Sequence, residues 1–476
     1  MVFSSLVFLF IFLPWTLIIH YFLPPKLRNT FLLLVSLIFY AWGEGYLTLL
    51  ILGSILINYA GGLLIGYFKD KHLTASKLIL ALFILINVSV LVYFKYFHFL
   101  LENLNRLGLF KNTENPYLHL PIGISFYTFH IMSYLIDVYR RDAVPQKNPL
   151  DLGLYIFLFP QLVAGPIIRY KDISNKIAKR FIIGEEFTEG AIRFIRGLAK
   201  KVIIANSVAL LADKVFALQP HEIPTSMAWL AIVCYTLQIY FDFSGYSDMA
   251  LGLGRMMGFT FPENFNYPYI ATSIQEFWQR WHISLSTWFR DYLYIPLGGN
   301  KEGKLKTYRN LFIVFFVTGL WHGSSWNFIV WGLFHGCFLV IERLGFKSIL
   351  EKLPIAVRHL YTLFVVLIGW VFFRAPNFKY SVKFLFVMGG KSDASDYSAL
   401  NHLDWYAVLV FVLAILFSTK LRHSLESGYN HLLVRGNENV LNASKIMKYV
   451  CYLLILVYCT TELAQSSYNP FIYFRF

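Results

Sequence analysis

Two tryptophan–histidine pairs, Trp281-His282 and Trp321-His322, stand about forty residues apart in a chain that is otherwise strongly apolar. Histidine is the side chain whose ordinary pKa lets it gain and lose a proton near neutrality. Ionisable groups inside a membrane are costly enough to mark function. A neutral imidazole can take the proton of a hydroxyl as that oxygen attacks a carbonyl, and an apolar setting disfavours the charged form of such a ring. His322, ahead of Gly323-Ser324-Ser325 and Asn327, has the setting of such a base. His282 could orient an acceptor, hydrogen-bond a developing oxyanion or relay the proton. For either ring the alternative is packing between helices through hydrogen bonds.

Trp281 and Trp321 of the pairs themselves, with Ser286, Arg290, Asp291 and Asn327 nearby, are candidates for holding a donor or an acceptor. Asp242 and Asp248, in QIYFDFSGYSDMALGLGRMMGF, are carboxylates inside an apolar stretch. They could hold a histidine tautomer or contact substrate, or they could close an interhelical network around Arg255. Lys301, Lys304, Lys306 and Arg309 could attract the phosphates of a cytosolic donor or simply set topology. The four cysteines have neither C-x-x-C nor zinc spacing, so no metal site is expected. No P-loop, G-x-S-x-G elbow or H-E-x-x-H is present, which removes ATPase, serine-hydrolase and zinc-protease chemistry.

The elements that must carry these groups are membrane helices. Of the 476 residues 57% are hydrophobic and only 14% charged, against about a quarter charged in soluble domains. Apolar runs recur at 2–23, 29–57, 78–100, 150–168, 226–241, 357–373, 405–419 and 448–463, and a spanning helix needs about 20 such residues. The first run, with Pro14 inside it and no small-residue cleavage site, reads as a retained span. The expected fold is all-α: a polytopic integral membrane protein in one domain, 1–476, with a catalytic core at about 121–342. The net charge of +15 comes from short loops such as Lys69-Asp70-Lys71, Arg140-Arg141 and Lys200-Lys201, a pattern that places them on the cytoplasmic side. No basic stripe lies apart from membrane flanks, so nucleic acid is not an expected partner; membrane lipid is.

Three stretches depart from a plain span-and-loop pattern. Residues 121–169 mix apolar runs with Asp137, Arg140, Arg141 and Pro160. Ile182–Lys201 has amphipathic spacing and reads as an interfacial helix. In 259–310, FPENFNYP cannot be regular helix because of its prolines. Ser273-Ile274-Gln275-Glu276 then forms a capping box. The helix it starts would set Trp281, Leu285, Trp288 and Tyr292 on one side and His282, Ser286 and Phe289 on another, ending at Pro296 and Gly298-Gly299. Both 121–170 and 259–310 are candidates for re-entrant segments.

FWQRWHISLSTWFRDYLYIPLGGN and GLWHGSSWNFIVWGLFHG together resemble the signature of the membrane-bound O-acyltransferase family, above all its bacterial branch of alginate and peptidoglycan O-acetylases. FYAWGE, PIGISFYTFHIMSYLIDVYR, FPQLVAGPIIRY, FPENFNYPY and the terminal FIYF extend the likeness over the chain; Arg475 replaces the neutral polar residue expected in that last segment. The resemblance implies about 10–12 transmembrane helices with re-entrant and interfacial helices around a central tunnel. It also implies that His322 is catalytic, with His282 as the second motif histidine. It implies O-acetyl transfer to an exported cell-envelope polysaccharide from acetyl-CoA or another cytosolic thioester, with no permanently bound cofactor. An inner-membrane location and an SGNH-type periplasmic acetyltransferase partner follow from the same likeness. D-alanyl transfer to teichoic acid and non-catalytic transport remain as alternatives.

Overall fold

The computed structural model describes residues 1–109, 118–392, 394, 404–421, 424, 427–428, 438–466 and 468–472. Arg475 of the terminal segment lies outside them. Among the described residues every regular element is a helix. The chain divides into two compact units, Met1–Phe194 with Met249–Pro262, and Ile195–Asp248 with Glu263–Phe476.

The first unit contains α1 (Leu13–Phe22), α2 (Pro25–Glu44), α3 (Thr48–Lys69), α4 (Leu73–Arg106), α5 (Ile124–Arg140), α6 (Pro149–Phe157), α7 (Phe159–Leu162), α8 (Tyr170–Ala178) and most of α9 (Gly184–Ala199). The apolar run 29–57 is not one helix, because Gly45 adopts φ +54° and breaks it into α2 and α3. The 22 residues of α3 reach about 33 Å, enough to cross a bilayer alone. Asn58 on α3 and Asn87 on α4 exchange amide hydrogen bonds of 3.0 and 2.7 Å, polar glue between two otherwise apolar faces. Arg141 pairs with Asp70 at 2.5 Å, so the basic loops after α3 and α5 share one end of the unit. That is what one-sided positive loops require.

Residues 150–168, apolar enough for a span but also part of a re-entrant candidate, do not form one continuous helix. The chain leaves helical geometry at Leu158, and α6 and α7 have only nine and four residues. Nine residues reach about 13 Å, too short to cross. Every residue from Leu152 to Pro166 is buried, as irregular backbone at membrane depth must be.

The second unit contains α10 (Asn206–Phe216), α11 (Thr225–Met256, whose last turns belong to the first unit), α12 (Ile274–Arg280), α13 (Ile283–Phe289), α14 (Lys304–His322) and α15 (Trp326–Ile341). They are followed by α16 (Lys347–Leu350), α17 (Ile355–Arg374), α18 (Phe378–Met388), α19 (Trp405–Ser418) and α20 (Glu438–Gln465). The amphipathic expectation for 182–201 is met by α9, which buries Phe194 and Leu198.

Helices α14 and α15 form a tight hairpin. An added methyl at Gly319 would lie 2.3 Å from the Phe328 carbonyl oxygen, and one at Gly332 would lie 2.2 Å from that of Phe315. Only glycine permits this approach of two backbones, the usual device for packing helices in lipid.

By length and apolarity, six stretches of the described residues can cross a membrane: Pro25–Lys69, Leu73–Arg106, Thr225–Met256, Trp326–Leu350, Ile355–Arg374 and Leu441–Gln465. Phe8–Phe22 and Trp405–Ser418 are shorter apolar helices. The protein is a multi-pass membrane protein. Helices α5 and α14 fall outside this set, α5 with 17 residues and Asp137 within it, α14 with Lys304, Lys306 and Arg309 in its first turns.

Candidate active site

Ser273 starts α12 with half of the expected capping box: its Oγ accepts the Glu276 N–H at 3.0 Å, while the Glu276 carboxylate accepts from Thr272 instead of from the Ser273 N–H. The helix does not continue through the first Trp-His pair, however. It stops at Arg280, and α13 begins at Ile283, each piece seven residues long. Between them His282 adopts φ 45° and ψ 54°, a left-handed conformation that costs a non-glycine residue about 1–3 kcal/mol. The single helix expected from Ser273 is therefore two, and the break is at the histidine itself.

Asn264 holds that break. Its Oδ1 accepts the Ser284 N–H at 3.2 Å and the Ser284 hydroxyl at 2.9 Å, and it lies 3.0 Å from His282 Nδ1. The Ser284 N–H can only donate, so the amide oxygen must be the atom that faces it. His282 Nδ1 therefore carries a hydrogen and donates to the same oxygen. In the neutral ring Nε2 is then a lone pair, and it is buried without a partner among the described residues. This tautomer suits accepting a proton or holding an acceptor hydroxyl, not donating to an oxyanion.

His322 is the last residue of α14, and Gly323 beyond it is extended. Its ring meets Trp321 at 4.8 Å, Trp331 of α15 at 4.9 Å and Phe373 of α17 at 5.1 Å between centroids. The ring of His282 lies 6.1 Å from the same Trp321 indole and 4.7 Å from Phe243 of α11. Both imidazoles thus meet the same indole. Both rings are buried, at 1% and 5% exposure. The two tryptophans differ in surroundings: Trp281 packs against Phe265, Phe277 and Trp370, inside an aromatic core.

The remaining candidates are dispersed. Ser286 donates its N–H to the His282 carbonyl in the first turn of α13. Arg290 and Asp291 pair with each other at 2.7 Å, the arginine largely exposed. Asn327 donates to the Ala375 carbonyl at 2.7 Å and ties α15 to the end of α17.

Asp242 forms a buried ion pair with Lys201 at 2.7 Å and accepts the Ile472 N–H at 2.8 Å, while Lys201 also donates to the Pro470 carbonyl. Asp248 pairs with Lys200 at 2.6 Å. Both pairs are with lysines, and it is Asn264 that meets the His282 ring and fixes its tautomer. Sequence reading passed over Asn264. Its one signal was an Asn between Pro262 and Pro268, where irregular backbone needs side-chain partners.

A family model described as "MBOAT, membrane-bound O-acyltransferase family" matches residues 146–382. Over 490 residues covering both chains completely, the sequence is 42% identical to a probable alginate O-acetylase of Pseudomonas putida. This chain belongs to the membrane-bound O-acyltransferase family. It is also 34% identical, over all of its length and 98% of the relative's, to a peptidoglycan O-acetyltransferase of Helicobacter pylori. A teichoic acid D-alanyltransferase of Streptococcus thermophilus matches at 36%, but over only 46% of this chain and 56% of its own. As a family member the protein is an acyltransferase embedded in a membrane.

Proposed function

We propose that this acyltransferase transfers an acetyl group from a cytosolic thioester, acetyl-CoA, to hydroxyls of an exported cell-envelope polysaccharide. The observation that carries the reading is the pair of buried imidazoles facing one indole, Trp321, in a protein whose end-to-end relatives are named O-acetylases. The D-alanyltransferase likeness covers under half of the chain.

The chemistry follows from the rings. His322 takes the proton of the acceptor hydroxyl as its oxygen bonds to the thioester carbonyl carbon. The tetrahedral intermediate expels the CoA thiolate, which receives that proton from His322. While His322 is protonated, its charge sits at the carbonyl end of α14, where the helix dipole favours a cation. His282, with its Nε2 lone pair, holds the incoming O–H. The site lies in the cytoplasmic (inner) membrane. The anionic body of CoA stays in the cytosol while its pantetheine arm reaches the site, and the acceptor comes from the other face, either the polysaccharide or an SGNH-type periplasmic partner. No resident cofactor takes part.

General base catalysis contributes about 10²–10⁴-fold. Purified protein reconstituted with labelled acetyl-CoA and candidate polymers should acetylate, and His322→Ala should lower turnover by at least that order while remaining folded. Turnover of His322→Ala near that of the wild type would refute the assignment. Use of a D-alanyl carrier protein in place of acetyl-CoA would identify the aminoacyl reaction instead.

A further inference from the structure

Helix α12 is only seven residues long, yet its first three N–H groups all have acceptors. Ser273 Oγ takes the third, from Glu276. The first two, of Ile274 and Gln275, donate at 2.6 and 3.0 Å to the two carboxylate oxygens of Glu342, which also accepts the Tyr361 hydroxyl at 3.3 Å. Glu342 follows the end of α15 and is 2% exposed. Burying a carboxylate is expensive, and water or a local side chain would ordinarily serve two helix-end donors. The gain from a carboxylate more than sixty residues away is a connection between α12 and α15.

That connection bears on the catalytic groups. Trp331 on α15 touches His322 at 4.9 Å and Trp278 on α12 at 5.6 Å. Helix α12 is therefore registered against α15 in its middle, where Phe277 and Trp278 meet His335 and Trp331, and at its start through Glu342. Its far end is the Trp281-His282 break. With Trp278 as pivot, a start that comes loose moves the end that carries His282. His359 Nδ1 on the Ala271 carbonyl at 3.0 Å and Lys347 on Gln275 at 3.4 Å hold the same start from the same region.

We infer that Glu342 is a positioning residue for His282: its carboxylate clamps the start of α12 so that the imidazole beyond its other end stays against the Trp321 indole. Glu342 touches no reacting atom. The inference rests on the acyl-transfer reading only where turnover is concerned.

The test uses full-length protein in lipid nanodiscs, with Glu342→Gln, Glu342→Asp, Glu342→Ala and His322→Ala beside the wild type. Hydrogen–deuterium exchange reads position without reference to activity. In Glu342→Gln, exchange should quicken throughout 274–284, including the Ser284 N–H held by Asn264, and stay unchanged at 316–322. Faster exchange confined to 274–276 would mean a local cap and would overturn the inference.

Acetyl transfer supplies the second reading. Misplacing a catalytic group by about 1 Å costs on the order of 10²-fold, so Glu342→Gln should lose about that in kcat with the donor KM unchanged. Glu342→Asp, which keeps the carboxylate, should recover part of both readouts relative to Glu342→Ala. Wild-type kcat in Glu342→Gln, or a loss confined to KM, would overturn it as well. Near-wild-type activity in His322→Ala would count against His322 as the base, and no activity in the wild type would count against acetyl transfer; in either case the exchange result decides on Glu342.

Discussion

Replacing Asn264 with alanine is the sharpest perturbation of the site that leaves both histidines in place. One oxygen is lost, and with it the acceptor of three donors at 3.0, 3.2 and 2.9 Å. A buried donor without a partner costs about 1–3 kcal/mol, and two of the three, Ser284 N–H and His282 Nδ1–H, have no freedom to turn elsewhere without moving the chain. His282 in addition holds a left-handed conformation worth about 1–3 kcal/mol that these bonds offset. The local arrangement is thus weakened by several kcal/mol, more than enough to repopulate the break. The ring also loses its fixed tautomer, so Nε2 no longer always presents a lone pair. The expected outcome in single-turnover acetyl transfer is a fall of at least about 10²-fold, with the donor KM unchanged. Asn264→Asp keeps an oxygen for all three donors and should retain most of the rate. A rate for Asn264→Ala within about threefold of wild type would refute the tautomer argument.

Other substitutions separate support from chemistry. Breaking the buried Lys201–Asp242 pair with Lys201→Met or Asp242→Asn should cost about 3–5 kcal/mol, read as a lower thermal midpoint in detergent. Gly332→Ala forces a methyl against the Phe315 carbonyl and should cost about 1–3 kcal/mol with loss of activity, whereas Gly53→Ala, which meets nothing within 4 Å, should leave both unchanged. Arg290→Ala removes an exposed pair worth at most about 1 kcal/mol. A rise in its donor KM therefore reads on donor binding, and an unchanged KM removes Arg290 as a donor contact.

Much of this was legible in the residues. The 3.6-residue periodicity gave α9, the Ser273–Glu276 spacing gave the start of α12, and Pro296 with two glycines gave the end of its region. Long apolar runs gave most of the spans. What misled was composition where backbone conformation decides. Residues 150–168 are apolar enough to cross, yet Leu158 and Pro160 turn them into short buried pieces. The 273–295 pattern reads as one amphipathic helix, and nothing in helical periodicity marks a left-handed histidine in its middle. Asp242 could be read as a substrate or tautomer group or as part of an interhelical network, and its buried ion pair with Lys201 is of the second kind. Its partner, Lys201, lies in another element, where local sequence does not reach.

The placement of the two histidines explains why the site needs so many uncharged or distant polar supports. Each imidazole sits at a helix interruption: His282 between α12 and α13, His322 at the final residue of α14. Inside a continuous helix a side chain is confined to one stripe and its backbone is spent on intrahelical bonds. At an interruption the ring can project away from the packed face, but the freed N–H and C=O groups must then be satisfied in a place where water is scarce. Asn264 meets that demand after His282 and Glu342 meets it at the start of α12. Gly319 and Gly332 bring the α14–α15 backbones together just before His322. The paired Trp-His motif is thus the visible half of the apparatus. The other half consists of residues whose chemistry is modest and whose position, close to the breaks, determines where the two rings stand.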